Sequence, residues 1–152
     1  QQRAGSFLPH LGLLPWDTFA FEVRRRLSTP NPPPFAVALM RVTTVAGAPM
    51  EVETVANYLR KHIRHSDLLG RYARETVAML MEDMDEREAF AFVERVRRAL
   101  RQMPGPTSLR PTAGLAAFRS GRYANAEELL RACEAALYAA RSEGGDCTAI
   151  AP

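Results

Sequence analysis

Arg64-His65-Ser66-Asp67 is followed by Leu68-Leu69-Gly70-Arg71-Tyr72 and, past Ala73-Arg74-Glu75, by Thr76-Val77-Ala78-Met79-Leu80-Met81; this stretch decides the fold. Two short runs rich in apolar residues on either side of a three-residue break read as a β-hairpin. The break lacks the Gly or Asn that two-residue turns favour. Ahead of it, Val52, Val55, Leu59 and Ile63 recur at helical spacing through residues Glu51 to His65, which predicts a helix carrying Arg64 at its C-terminal end. The R-x-x-D thus falls on a helix-to-strand corner.

Outward from this corner the chain alternates clearly. Phe19, Val23 and Leu27 mark an amphipathic helix over Asp17 to Leu27, and Pro30-Asn31-Pro32-Pro33-Pro34 stops it. Phe35 to Val42 is a nearly continuous apolar run, the pattern of a buried central strand, with Arg41 as its odd member. Downstream, Ala89, Val93, Val96 and Leu100 share one face of a helix over Glu86 to Gln102, and Leu109 to Phe118 reads as a strand. Ala126, Leu129, Leu130, Cys133, Leu137 and Ala140 form the stripe of a last helix that Gly144-Gly145 ends. The order implies an α+β fold, with a central, mostly antiparallel sheet of about five strands flanked by helices.

A chain of 152 residues with 47% hydrophobic content holds one domain with a real core. Residues 1–10 are expected to be an N-terminal linker and 11–152 the domain. The net charge of +3 comes from 20 basic and 17 acidic residues, and Lys61 is the only lysine. Because the two signs are interleaved, no nucleic-acid partner is indicated. Cys133 and Cys147 are widely separated and no Cys/His cluster has ligand spacing, so neither metal nor disulfide is expected, and a reducing cytosol is the default. No apolar run approaches the roughly 20 residues of a membrane helix. A start without Met reads as a cytoplasmic module cut from a longer protein, which could itself be membrane-anchored.

Three further segments bring a family into view. Gly12-Leu13-Leu14-Pro15-Trp16-Asp17-Thr18-Phe19, Pro111-Thr112-Ala113-Gly114-Leu115-Ala116 and Ala132-Cys133-Glu134-Ala135-Ala136-Leu137-Tyr138-Ala139-Ala140-Arg141 occur in that order around the hairpin. Together with the R-x-x-D before the turn, they resemble bacterial GGDEF domains, the diguanylate cyclases, from about Leu11 to Asp146. The resemblance implies a fold related to the palm of nucleotidyl cyclases.

It also implies two opposed expectations about chemistry. Joining two GTP molecules needs carboxylates that hold divalent metal against the phosphates. At the strand-end position of the family's first carboxylate stands Arg41, and the Gly-Gly-Asp-Glu-Phe turn reads Ala73-Arg74-Glu75-Thr76-Val77. The segment Thr43 to Glu51 is several residues shorter than its counterpart. A degenerate domain without catalytic residues, not an enzyme, is the expectation. The inhibitory site of the family, in contrast, keeps its pattern: Arg64 and Asp67, with Arg95 in the context Val93-Glu94-Arg95-Val96-Arg97. An arginine donates two parallel bonds to guanine O6 and N7 and a carboxylate accepts from N1–H and N2–H, so the pair suits cyclic di-GMP, bound as an intercalated dimer. His65, Arg71 and Arg74 are auxiliary candidates, and no cofactor or metal is required. The implied role is a bacterial second-messenger receptor that acts on another domain or on a partner protein, with exopolysaccharide secretion and biofilm formation as the context and homodimerisation as an option. The alternative is a ligand-free pseudoenzyme used for dimerisation or docking.

Overall fold

Six consecutive residues of β2 (Phe35–Thr44), Phe35 to Met40, are fully buried, and such a strand must lie in the middle of a sheet covered on both faces. The computed structural model, which describes residues 12–119 and 122–152, places it so. The expected linker at 1–10 lies outside the described residues. In chain order the other elements are β1 (Leu13–Leu14), α1 (Trp16–Leu27), α2 (Val52–Leu59), β3 (Leu68–Ala73), β4 (Thr76–Glu82), α3 (Glu86–Arg101), β5 (Leu109–Ala117), α4 (Ala126–Ser142) and β6 (Thr148–Ile150). The sheet runs β1-β3-β4-β2-β5-β6. Its four inner strands are antiparallel, with β2 between β4 and β5, and the short outer strands β1 and β6 add on in parallel.

Alternation along β2 divides the core in two. Ala36, Ala38, Met40 and Val42 face a cluster with Val55 and Leu59 of α2 and Val93, Val96 and Leu100 of α3. Phe35, Val37 and Leu39 face Phe19 and Val23 of α1 and Leu129, Cys133 and Leu137 of α4. Two glycines set how closely the second pair of helices approaches. A Cβ on Gly70 would stand 2.5 Å from the Phe19 ring, and one on Gly114 would stand 2.3 Å from the Leu137 backbone nitrogen. The α+β class is as the sequence implies. Among the described residues no helix is long and apolar enough to cross a membrane.

Two local features depart from expectation. The helix expected to reach His65 stops at Leu59, because the His62 amide donates to the Leu59 carbonyl in a tighter turn and the Arg64 amide is taken by the Asp67 carboxylate. Side-chain acceptors of this kind compete with helix propagation. The hairpin turn is only Arg74-Glu75, since Ala73 already pairs with Thr76. Neither turn residue has a positive φ. A bulge between Arg71 and Ala73 adds the local twist that a glycine turn would otherwise supply.

Candidate functional site

The R-x-x-D forms a closed corner. The Asp67 amide donates to the Arg64 carbonyl at 3.0 Å, and the Arg64 amide donates back to Asp67 Oδ2 at 2.9 Å. The guanidinium folds over the same carboxylate, Nη2 donating to Oδ1 at 2.9 Å, and also donates to the Glu82 carbonyl at the end of β4. The hydrogen bond to Asp67 raises Arg64 above the ordinary arginine value. Asp67 is buried, at 1% exposure, whereas the Arg64 side chain keeps 39%. Asp67 therefore positions Arg64, and a guanine N1–H reaching for that carboxylate would compete with bonds already made.

The remaining candidates are distributed over two helices and the hairpin. Arg95 is exposed on α3, its guanidinium 4.9 Å from the centroid of the Phe92 ring. Two residues on, Arg97 points the other way. It is 3% exposed, donates to the Pro111 carbonyl and pairs with Glu94 and Asp146, which fixes α3 to the sheet beneath it. Helices α2 and α3 are joined by the Tyr58 hydroxyl donating to the Ala99 carbonyl. His65 is exposed in the corner turn. Arg71 and Arg74 are drawn to the opposite end of α2, where they pair with Glu53 and Glu51, and the Val52 amide donates to the Arg74 carbonyl. Arg64 and Asp67 are in direct contact. The part of the Glu82 backbone in this corner was invisible to sequence reasoning, because a carbonyl carries no residue signature.

At the other end of the β2–β4 ladder, Arg41 pairs across strands with Thr76. Its Nη2 donates to Glu75 Oε2 at 3.3 Å, and Thr76 is only 4% exposed. The divalent metal implied by the family resemblance does not fit this donor set: the one carboxylate retained in the turn faces a guanidinium, which cannot shed its charge.

Relatives bear on the family and the fold. The "Probable diguanylate cyclase DgcT" of Escherichia coli (strain K12) is 30% identical over 100 residues, which cover 61% of this chain and 22% of the relative's own length. Three solved structures share the fold. The GGDEF domain of PA1120 from Pseudomonas aeruginosa superposes with a TM-score of 0.78 at 20% identity, covering 94% of this chain and 92% of that one. Diguanylate cyclase SiaD in complex with its activator SiaC, from the same organism, gives 0.75 at 20% identity over 94% of this chain and 60% of that one. The GGDEF domain of DgcB from Caulobacter crescentus in complex with c-di-GMP gives 0.75 at 15% identity, over 99% and 96%.

The expectation that the chain is not an enzyme is overturned by the 30% identical relative, which is named a probable diguanylate cyclase. That expectation rests on Arg41, on the Ala73-Arg74-Glu75-Thr76-Val77 turn and on the short Thr43 to Glu51 segment, whereas the β2–β4 ladder beneath them is paired without a break from Phe35 to Arg41. The family model "Diguanylate cyclase, GGDEF domain" matches residues 52–147, from the start of α2 to the turn before β6, and the chain belongs to the GGDEF family.

Proposed function

We propose that this domain is a cyclic di-GMP receptor that reads its ligand with Arg64 and Arg95, Asp67 holding Arg64 in place. The observation that carries the reading is the fixed but partly exposed guanidinium of Arg64, clamped on one edge by Asp67 and the Glu82 carbonyl while 39% of its side chain stays open. A guanidinium held in this way loses little further freedom on binding, so its remaining N–H groups suit a guanine edge or a phosphate. Arg95 adds a second exposed cation on the helix beside α2, and its partner Phe92 leaves the charge in place. Binding needs no metal, and the output is a changed contact with another domain or a partner protein. DgcB, which has the same fold, is a GGDEF domain in complex with c-di-GMP, and SiaD is in complex with an activator protein.

Calorimetric titration of the domain with cyclic di-GMP tests this. Saturable heat is expected at protein concentrations on the order of 10 μM, and Arg64→Ala and Arg95→Ala should each weaken binding at least about tenfold, the worth of one lost charge-assisted bond. Absence of heat, or binding that Arg64→Ala leaves untouched, would defeat the reading.

A further inference from the structure

Glu82 is gripped from two sides by arginines of two different elements. It is the last residue of β4 and closes the ladder opposite Phe35; Asp83 then leaves the strand with a φ of 53°, a left-handed conformation that few residues other than glycine adopt. Beyond this point the ladder supplies no further pairing, so side chains hold the strand end. Arg26, in the last turn of α1, takes the carboxylate with Nε on Oε1 at 2.8 Å and Nη2 on Oε2 at 2.9 Å. Its Nη1 is anchored in turn on the Glu22 carbonyl at 2.7 Å and on Glu22 Oε1 at 2.9 Å. Every nitrogen of this guanidinium is engaged within the protein, and the side chain is only 15% exposed.

From the other face of the sheet, the carbonyl of the same Glu82 accepts from Arg64 Nη2. Arg64 Nε and Nη2 also donate to Asp67 Oδ1, which leaves Nη1 as the nitrogen with no hydrogen-bond partner among the described residues. A planar guanidinium held by one carboxylate can still hinge about that contact. A second acceptor on a different element fixes its plane, and with it the direction in which Nη1 points. Here the second acceptor belongs to Glu82, whose side chain is tied to α1.

We propose, resting on the receptor reading above, that Arg26 is a positioning residue for the ligand-binding guanidinium of Arg64, acting through Glu82, so that the end of α1 and the cyclic di-GMP corner are energetically linked. Because its own nitrogens are committed to Glu22 and Glu82, Arg26 works on the acceptor and not on the ligand. The link is reciprocal: a ligand on Arg64 strengthens the Arg26–Glu82 pair by the same factor by which that pair strengthens binding. Since α1 packs on one face of the sheet and α2 on the other, occupancy of the corner is carried through the strand end to a helix the ligand does not touch.

Calorimetric titration with cyclic di-GMP of the native domain, Arg26→Met, Glu82→Gln, the double variant and Arg24→Met tests the link, with urea midpoints to show that each variant is folded. Arg24 is on the same helix with the same charge but pairs with Glu127 of α4. Arg26→Met and Glu82→Gln should each weaken binding about three- to tenfold, as loss of one orienting hydrogen bond does. The double variant should lose no more than the larger single loss, because both changes break the same connection. Arg26→Lys, which keeps the charge and one contact, should lie between Arg26→Met and the native domain, and Arg24→Met should bind as the native domain does. Additive losses in the double variant would mean that Arg26 acts on the ligand directly, and an equal loss for Arg24→Met would reduce the effect to the charge of α1; either overturns the proposal. Binding that Arg64→Ala abolishes and Arg26→Met leaves untouched would overturn the link alone, whereas no binding to the native domain would remove the receptor reading and the link with it.

Discussion

Two arginines at opposite ends of the β2–β4 ladder are held in opposite ways. At one end, where Phe35 pairs with Glu82, Arg64 is clamped by a buried carboxylate and a backbone carbonyl. At the other, where Arg41 pairs with Thr76, the guanidinium has one long bond to a half-buried Glu75 and shares its cleft with two more arginines. The first arrangement is organised before any ligand arrives, and the second is a concentration of like charge. The clamped end is braced from both faces of the sheet. Arg26 of α1 reaches the Glu82 carboxylate with Nε at 2.8 Å and Nη2 at 2.9 Å, while Arg64 reaches the same residue's carbonyl from the α2 side.

Removing the buried anion of the clamp should have the largest effect. Asp67→Ala leaves the Arg64 amide and guanidinium without their shared acceptor, and a loss of about 2–4 kcal/mol in urea unfolding is expected. Asp67→Asn should lose less, because its amide oxygen still accepts from the Arg64 backbone while the charge is gone. A change below about 0.5 kcal/mol for Asp67→Ala would place this pair among ordinary surface ion pairs and erase the contrast with Arg41.

Next in size is Arg64→Lys, which keeps the charge and discards the fork. An ammonium cannot bridge Asp67, the Glu82 carbonyl and a ligand edge at once, so cyclic di-GMP affinity should fall about tenfold. A full-affinity lysine variant would show that Arg64 acts as a point charge and that its fixed orientation is irrelevant to binding.

The contrast was only half legible in the sequence. The helices α1, α3 and α4 and the strands β2 and β5 follow from apolar spacing, because burial of one face is what selects them. Helix α2 was overextended by Ile63, which keeps the helical period and packs on the core although the backbone has already left the helix. What ended it was the carboxylate of Asp67, a residue read as a ligand group and found to be a backbone acceptor as well. Strands β1 and β6, of two and three residues, are defined by the edges they pair with and carry no pattern of their own. The arginine cleft was out of reach for a different reason. Arg110 comes beside β2 only because it pairs with Thr43, and Arg141 is carried in on α4, so the cluster exists in the topology alone.

Acid should weaken the clamped end first. Glu22 sits beside Glu82 in the Arg26 brace; burial pushes its carboxyl up, but hydrogen bonds from Arg25 and Arg26 outweigh this and hold it below its ordinary value of 4.5. A depressed carboxyl binds fewer protons in the folded state than in the unfolded one, so its contribution is present above that value and is lost as pH falls through the folded one. Urea midpoints of the native domain and of Arg26→Met should therefore differ at neutral pH and converge as pH falls below 4.5. A gap that stays constant over that range would mean the brace is held by packing of the arginine stem and not by charge.

The smallest effect is expected at Arg41, and there the contrast is most easily broken. A double-mutant cycle of Arg41→Ala and Glu75→Ala should give a coupling of about 0.5 kcal/mol or less, because both side chains are part-exposed and their one contact is long. Either single change should barely alter stability, since Thr76 and Thr112, the cross-strand neighbours of Arg41, keep the ladder paired through backbone groups that the substitution does not touch. A coupling of several kcal/mol would mean that Arg41 is wired as firmly as Arg64, and the cleft would then be a structural ion pair instead of an open charge.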